Sequence, residues 1–271
     1  MIYRQYPVHP ALRNWIRYFW SYDAHTPEVR TLHIRSFADR YPRLIYQDIH
    51  SSTRITETNG NCKPVCYLSG IDTIPTETYW ESRFSHFGVS FHPHALHAIF
   101  GIHAGELTDQ TPDISWIEKN QITNRLIGAK SHAARVKILE KYFFDKISCR
   151  RQDGIIAEIF GTGLLDKPDD EIRLYRLTKR HRISERQMQR RFKQQVGVSA
   201  RKFGRLSRFE KSLEILARAQ YGHLTDIAYE LGYADQSHFI HDFKLFSGLT
   251  PLEFIRNQKI GSESSSFIYW E

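Results

Sequence analysis

At 271 residues the chain is long enough for one large domain or two ordinary ones, each with its own core. Its 41% apolar and 25% charged residues exclude a disordered polyelectrolyte, and no apolar run reaches the roughly 18 residues of a membrane span. The formal charge of +8 favours polyanionic partners, and it is concentrated: Ile172 to Arg218 holds 15 Lys/Arg against 3 acids, which leaves the remainder close to −4.

The opening segment, MIYRQYPVHPALRNW, lacks the uninterrupted apolar stretch of a signal peptide. Three cysteines (Cys62, Cys66, Cys149) are too few and too odd in number for a disulfide framework. The expectation is a soluble cytoplasmic protein with no membrane segment. A dense aromatic run follows. Most of such a run packs in a core, and Trp15, Tyr18, Phe19 and Trp20 are its candidates for lining a small-molecule effector pocket.

Residues 31–92 carry short strand-like runs, such as Arg43-Leu44-Ile45-Tyr46 and the alternating Phe87, Val89 and Phe91. Pro93 ends the latter, and a short helix is expected over Ala95–Phe100. Cys62-x₃-Cys66 could open a zinc site, but four ligands are normally needed and only Cys149 remains. His92, His94 and His97 have the close spacing of a cupin-like metal site, yet no further ligand is identifiable, and surface or turn histidines are the plainer reading. No metal, cofactor or catalytic group is therefore assigned. An amphipathic helix is expected over Ala133–Ile147, with Val136, Leu139, Phe143 and Ile147 on one face, able to form a homodimer or to pack in its own domain. Another is expected near Gly154–Phe160, and Gly and Pro mark 161–169 as a linker.

The C-terminal third contains a repeat. Phe192-Lys193-Gln194-Gln195-Val196-Gly197-Val198-Ser199 reads F-K-x-x-x-G-x-S, and Phe243 to Thr250 reads F-K-x-x-x-G-x-T, 51 positions later. Met188 matches Phe239 and Phe203 matches Phe254 at the same offset. Each copy has helix-turn-helix grammar. In the second, Thr225 is the expected N-cap of a short helix, Gly232 closes the turn, and Asp235 caps a helix over Gln236–Ser247 that Gly248 ends. In the first, Arg182 stands where the second has Gly232, Thr178 stands where it has Ala228, and Ser184 caps a helix over Glu185–Val196. Arg201 to Ala219 reads as a long connecting helix.

On these residues, 170–258 resembles the DNA-binding domain of the AraC/XylS family, most closely over LTDIAYELGYADQSHFIHDFKLFSGLTPLEFIR. The resemblance implies seven helices with two helix-turn-helix units joined by a long helix, and double-stranded DNA as partner. It implies base reading by Arg186, Gln189 and Arg190 in the first unit and by Gln236, Ser237, His238 and His241 in the second. Arg and Gln suit guanine and adenine edges. Arg191, Lys193, Arg201, Lys202, Arg205 and Lys244 are expected at phosphates. The second unit departs from the family in His241, where an Arg is usual, and in the following Asp242. Gln220 to Glu271 carries 3 Lys/Arg against 7 acids, so the first unit is expected to supply most of the DNA affinity.

The expected fold class is α+β: an N-terminal β-barrel-like and helical sensor domain over 1–160, and an all-α domain over 170–258. A flexible tail over 259–271 is expected to follow. The expected function is a sequence-specific transcription regulator whose N-terminal domain senses an effector or dimerises, touching RNA polymerase if it activates. A metal-dependent cupin-like or DNA-repair enzyme that uses the C-terminal domain for targeting is the alternative.

Overall fold

The computed structural model describes residues 1–50, 54–119, 121–147, 153–164, 170–218, 222–256 and 267–270, with the backbone alone for 170–173 and 267–270. Cys149 and residues 165–169 of the expected linker lie outside the described residues.

The first part of the chain alternates extended segments: β1 (Ile2–Tyr6), β2 (Ile16–Ala24), β3 (Thr31–Ser36), β4 (Arg43–Gln47), β5 (Thr56–Glu57), β6 (Cys66–Ser69), β7 (Thr76–Glu81) and β8 (Phe84–Phe91). They form two antiparallel sheets. One has the order β1-β2-β8-β4-β6, and the other runs β5-β7-β3 and gains β9 (Phe267–Trp270) at its β3 edge. The expected barrel is thus a pair of sheets, and the tail expected to be flexible contributes a strand.

Strand register explains how the first sheet serves two environments. Side chains alternate across a strand, so adjacent rows of cross-strand partners face opposite ways. The row Phe19–Val89–Leu44–Leu68 is fully buried. It belongs to a core shared with helices α1 (Ala95–Phe100), α2 (Ile114–Ile117), α3 (Ile122–Ile127) and α4 (His132–Ile147). The neighbouring row, Trp20–Gly88–Ile45–Tyr67, turns towards the second sheet. Gly88 is required there: a Cβ would stand 2.4 Å from the Trp20 indole and 2.7 Å from the Leu44 carbonyl. Val136, Leu139 and Phe143 of α4 are buried in the helix-side core, so that face packs within its own domain.

Seven helices follow among the described residues: α5 (Gly154–Gly161), α6 (Asp170–Arg180), α7 (Glu185–Val196), α8 (Ala200–Ala217), α9 (Leu224–Glu230), α10 (Gln236–Ser247) and α11 (Pro251–Arg256). Met188, Phe192, Phe203, Phe209, Phe239, Phe243, Phe246 and Phe254 form their core. Ile155, Ile156 and Ile159 of α5 join that core, although sequence division at 160 leaves them with the sensor.

The two domains share a boundary with apolar and polar parts. Phe37 and Ala38, just after β3, belong to the helical core, with the Phe37 ring 6.4 Å from Phe209 and 5.9 Å from Phe254. Ala38 N–H donates to the Phe246 carbonyl at 2.9 Å. Arg40 donates to Glu210 at 2.5 Å and to the Ser207 hydroxyl at 3.0 Å, both on α8. At a second contact the Thr108 hydroxyl donates to the carbonyl of Gly197, whose φ of +101° and closeness to Ala104 leave no room for a side chain.

His94, the residue before α1, stacks on Phe160 of α5 at 5.0 Å. Burial, then the charge of His92, push its pKa down to about 4. In the unfolded chain a histidine titrates near about 6.5. Between these values the unfolded state binds the extra proton, so native stability falls as pH drops from about 6.5 to about 4. His94→Phe keeps a ring on Phe160 and removes the titration. Urea unfolding across this window should show the variant gaining about 1–3 kcal/mol on the wild type towards low pH. Parallel profiles would contradict the assignment.

Candidate nucleic-acid interface

Both helix-turn-helix units close with the same hydrogen-bond pattern. After α6, Arg182 N–H donates to Lys179 O and Ile183 N–H donates to Thr178 O. After α9, Gly232 N–H donates to Tyr229 O and Tyr233 N–H donates to Ala228 O. Each is a Schellman motif, which needs one residue in the left-handed region, and an apolar residue follows it in both turns. Gly232 takes that conformation at φ +74° at no steric cost, whereas Arg182 takes it at φ +51° against its Cβ. These turns are 50 residues apart and the helices that follow are 51 apart, because Ala234 lengthens the second turn by one residue.

Caps then fix each second helix. Ser184 and Gln187 form a reciprocal capping box at the start of α7. The Asp235 carboxylate accepts from His238 N–H at 2.7 Å at the start of α10. The cap of α9 is His223 rather than Thr225. Its N–H donates to the Asp226 carboxylate, and the Thr225 hydroxyl instead donates to the Gln236 amide oxygen at 2.7 Å.

On α7, Met188 and Phe192 are buried while Arg186, Gln189, Arg190, Arg191 and Lys193 are exposed. Arg191 also lies 3.7 Å from Asp153. On α10, Ser237, His238, His241 and Lys244 are exposed and Gln236 is half-buried. Arg201 is exposed and Lys202 half-buried at the start of α8. Arg205 differs from the other cations expected at phosphates. It donates bidentately to Asp242 on α10, at 3.0 and 2.6 Å, and this bonding raises its pKa. Asp242 is fully buried, with His238 at 3.9 Å and His241 at 3.6 Å. The acid that departs from the family pattern therefore ties α8 to α10, and Arg205 is its partner.

A cavity of about 430 Å³ lies between the two sheets. Tyr18 and Trp20 line it, together with Tyr67 and Trp80. Phe19 and Trp15, expected beside them, pack against the helix-side core. Sequence reading missed the polar wall, which includes Asp39, Tyr41 and, from α8, Glu210. Strand alternation through β2 could have separated Phe19 from its neighbours, but no local signal marks Glu210.

Of the residues weighed as metal ligands and not assigned, the His97 imidazole Nδ1 sits 2.7 Å from the Ile102 carbonyl and His94 is stacked as described. Cys62 is exposed, and burial pushes the Cys66 thiol up to about 12. Among the described residues no group of three or more His, Cys, Asp or Glu is arranged to hold a metal ion. None of the described helices is long and apolar enough to cross a membrane.

Two helix-turn-helix units on a shared core define a DNA-binding transcription regulator. Residues 177–257 match the helix-turn-helix domain family, and this C-terminal third is of the AraC type. Residues 4–113 match a domain of unknown function (DUF6597). In structure the chain is similar to ToxT from Vibrio cholerae, at 12% identity over 88% of this chain and 98% of that one, with a TM-score of 0.45. ToxT from Vibrio cholerae O395 bound to (E)-4-(8-methylnaphthalen-1-yl)but-3-enoic acid gives 12%, 88%, 98% and 0.44. Unsaturated fatty acid bound ToxT from strain SCE256 gives 13%, 87%, 93% and 0.41. No curated protein matches the chain in sequence.

Two substitutions separate strain from pairing. Arg182→Gly should raise unfolding stability by about 1 kcal/mol by relieving the left-handed turn. Arg205→Ala should lower it by about 3 kcal/mol, because the Asp242 charge is left buried without its main partner. Denaturant unfolding of both variants checks this; a neutral Arg205→Ala would show that the pair is dispensable.

Proposed function

We propose that the chain is a sequence-specific regulator in which Arg186, Gln189 and Arg190 on α7 read base edges in one major groove. The observation that carries this reading is their joint exposure on one helix face, inside a capped unit at the centre of the positive stripe. Gln236, Ser237, His238 and His241 read the second groove more weakly, since Gln236 has its amide oxygen engaged by Thr225. Arg191, Lys193, Arg201, Lys202 and Lys244 hold phosphates. Arg205 acts instead through Asp242.

The N-terminal domain binds a small-molecule effector in the cavity between its sheets. Glu210, in the cavity wall and on the helix that connects the two units, supports a route from ligand to DNA-binding domain. The partner of the C-terminal domain is double-stranded DNA in the cytoplasm, and an activator of this design also touches RNA polymerase. The packing of α5 favours a domain division ahead of Gly154. With the apolar face of α4 used internally, a homodimer would need another surface.

Fluorescence anisotropy on duplexes selected from a random pool, at several salt concentrations, tests the reading. The expected site has two boxes about 10 base pairs apart. Arg190→Ala should cost about 1–3 kcal/mol of binding and relax one position in the first box. His241→Ala should cost less. Equal losses would remove the asymmetry between the units, and equal binding to scrambled DNA would overturn sequence-specific recognition.

A further inference from the structure

The cavity has two unlike ends, set by register. At one end the row Tyr18–Ser90–Arg43–Ser69 lies near Asp39, Asp72 and Glu210; at the other, Tyr22 faces His86, with Trp80 4.8 Å from the His86 ring. Trp20 and Tyr67 stand in the row between them. The charged groups are unevenly satisfied. Three cations line the cavity, and each is engaged. Arg43 pairs with Asp39. Lys63 pairs with Glu57 at 2.5 Å and donates to the Thr111 hydroxyl at 2.6 Å. Arg17 lies 3.3 Å over the Tyr41 ring and donates to the Ser90 hydroxyl at 3.2 Å.

Five carboxylates face these three cations across the same space. Asp39 and Glu57 are paired as described, Glu210 is held by Arg40, and Asp109 accepts from the Thr73 amide and hydroxyl at 2.5 and 2.6 Å. Asp72 remains. Among the described residues its carboxylate meets a single donor, the Ser69 hydroxyl, at 3.4 Å from each oxygen. The Tyr67 hydroxyl and the His86 ring, both more than nine-tenths buried, also line the cavity with no hydrogen-bond partner among the described residues. These groups are free to hydrogen-bond to a molecule that enters the cavity.

We infer that this cavity is built for a small organic cation, an amine on a compact apolar or aromatic body, with Asp72 as its counter-ion and the Trp20–Trp80 end around its body. The inference rests on the effector-cavity reading and adds the charge and orientation of the effector. With Arg40 counted beside Glu210, one carboxylate charge is left over, and it disfavours an anion, while aromatic faces attract cations. A neutral polyol would leave the Asp72 charge unpaired. The ammonium end comes to lie beside Asp39 and Glu210, the side of the cavity that belongs to the domain boundary. Burial, opposed by Arg43 and Lys63 and reinforced by Asp109, pushes the Asp72 carboxyl up to about 6. Amine affinity therefore falls as pH drops through that value, because the counter-ion is lost.

Calorimetry on the full-length chain with three matched probes tests this: 2-phenylethylamine, 2-phenylethanol and 3-phenylpropanoate. The amine should bind at least tenfold more tightly than either other probe. Asp72→Asn, with an unliganded melting temperature matching the wild type, should cost at least tenfold in amine affinity, abolish its pH dependence near 6 and leave the alcohol unchanged. Binding of the acid or alcohol as tightly as the amine, or unchanged amine affinity in Asp72→Asn, overturns the cationic assignment and keeps an effector cavity. If none of the three binds, the cavity reading falls with it.

Discussion

Between β3 and β4 the chain has a short connection, residues 37–42, and its side chains are divided between two domains. Phe37 is driven into the helical core by its apolar surface, beside Phe209 and Phe254. Asp39 and Tyr41 turn back to the cavity, and Arg40 reaches α8. A buried aromatic ring of this size fixes backbone position closely, because a packed interior has few alternative arrangements. The cavity's charged end, the salt bridge to Glu210 and the placement of α8 all depend on where that ring sits. Any change in the cavity that moves Asp39 or Tyr41 pulls on residues whose immediate neighbour is anchored in the DNA-binding domain.

Within that domain, the same helices carry both solvent-facing cations and residues that hold the fold together. Arg186, Gln189 and Arg190 have no ion pair among the described residues and stand in solvent. Arg205 and Asp242 bind each other across α8 and α10, out of reach of solvent on the Asp242 side. An acid on a DNA-facing helix would ordinarily repel phosphates. Here its charge is neutralised inside the protein, so the second unit is less hostile to DNA than its composition implies. Glu230 and Asp235 on the same unit remain exposed.

The sequence was most informative where structure is local. Helix periodicity, Ser184 and Asp235 as caps, and the glycines after each helix are read within a few residues of where they act, and α7 and α10 fall on the expected bounds. Thr225 misled because a hydroxyl ahead of an apolar run looks like a cap, while Asp226 provided the stronger partner from within the helix. The aromatic run was legible as chemistry but not as geometry: Phe19 and Trp20 are neighbours in sequence and face opposite sides of a sheet. Pairings across long sequence distances, such as Arg40 with Glu210 or Phe37 with Phe254, leave no periodic trace. Arg205 looked like any other surface cation because nothing in its own segment shows that Asp242 lies opposite.

The ninth strand places the chain's last described residues against one of its first strands. Ribosomes deliver a chain from its N-terminus, so β3 emerges long before Phe267 to Trp270. Throughout that interval β3 has a partner in β7 alone, and its other edge offers free amide and carbonyl groups to any extended segment nearby. The whole helical domain must be made before the sheet acquires its fourth strand. The N-terminal domain is therefore a structure that synthesis starts before the helical domain and completes only after it, with its open edge exposed to a neighbouring nascent chain in the meantime.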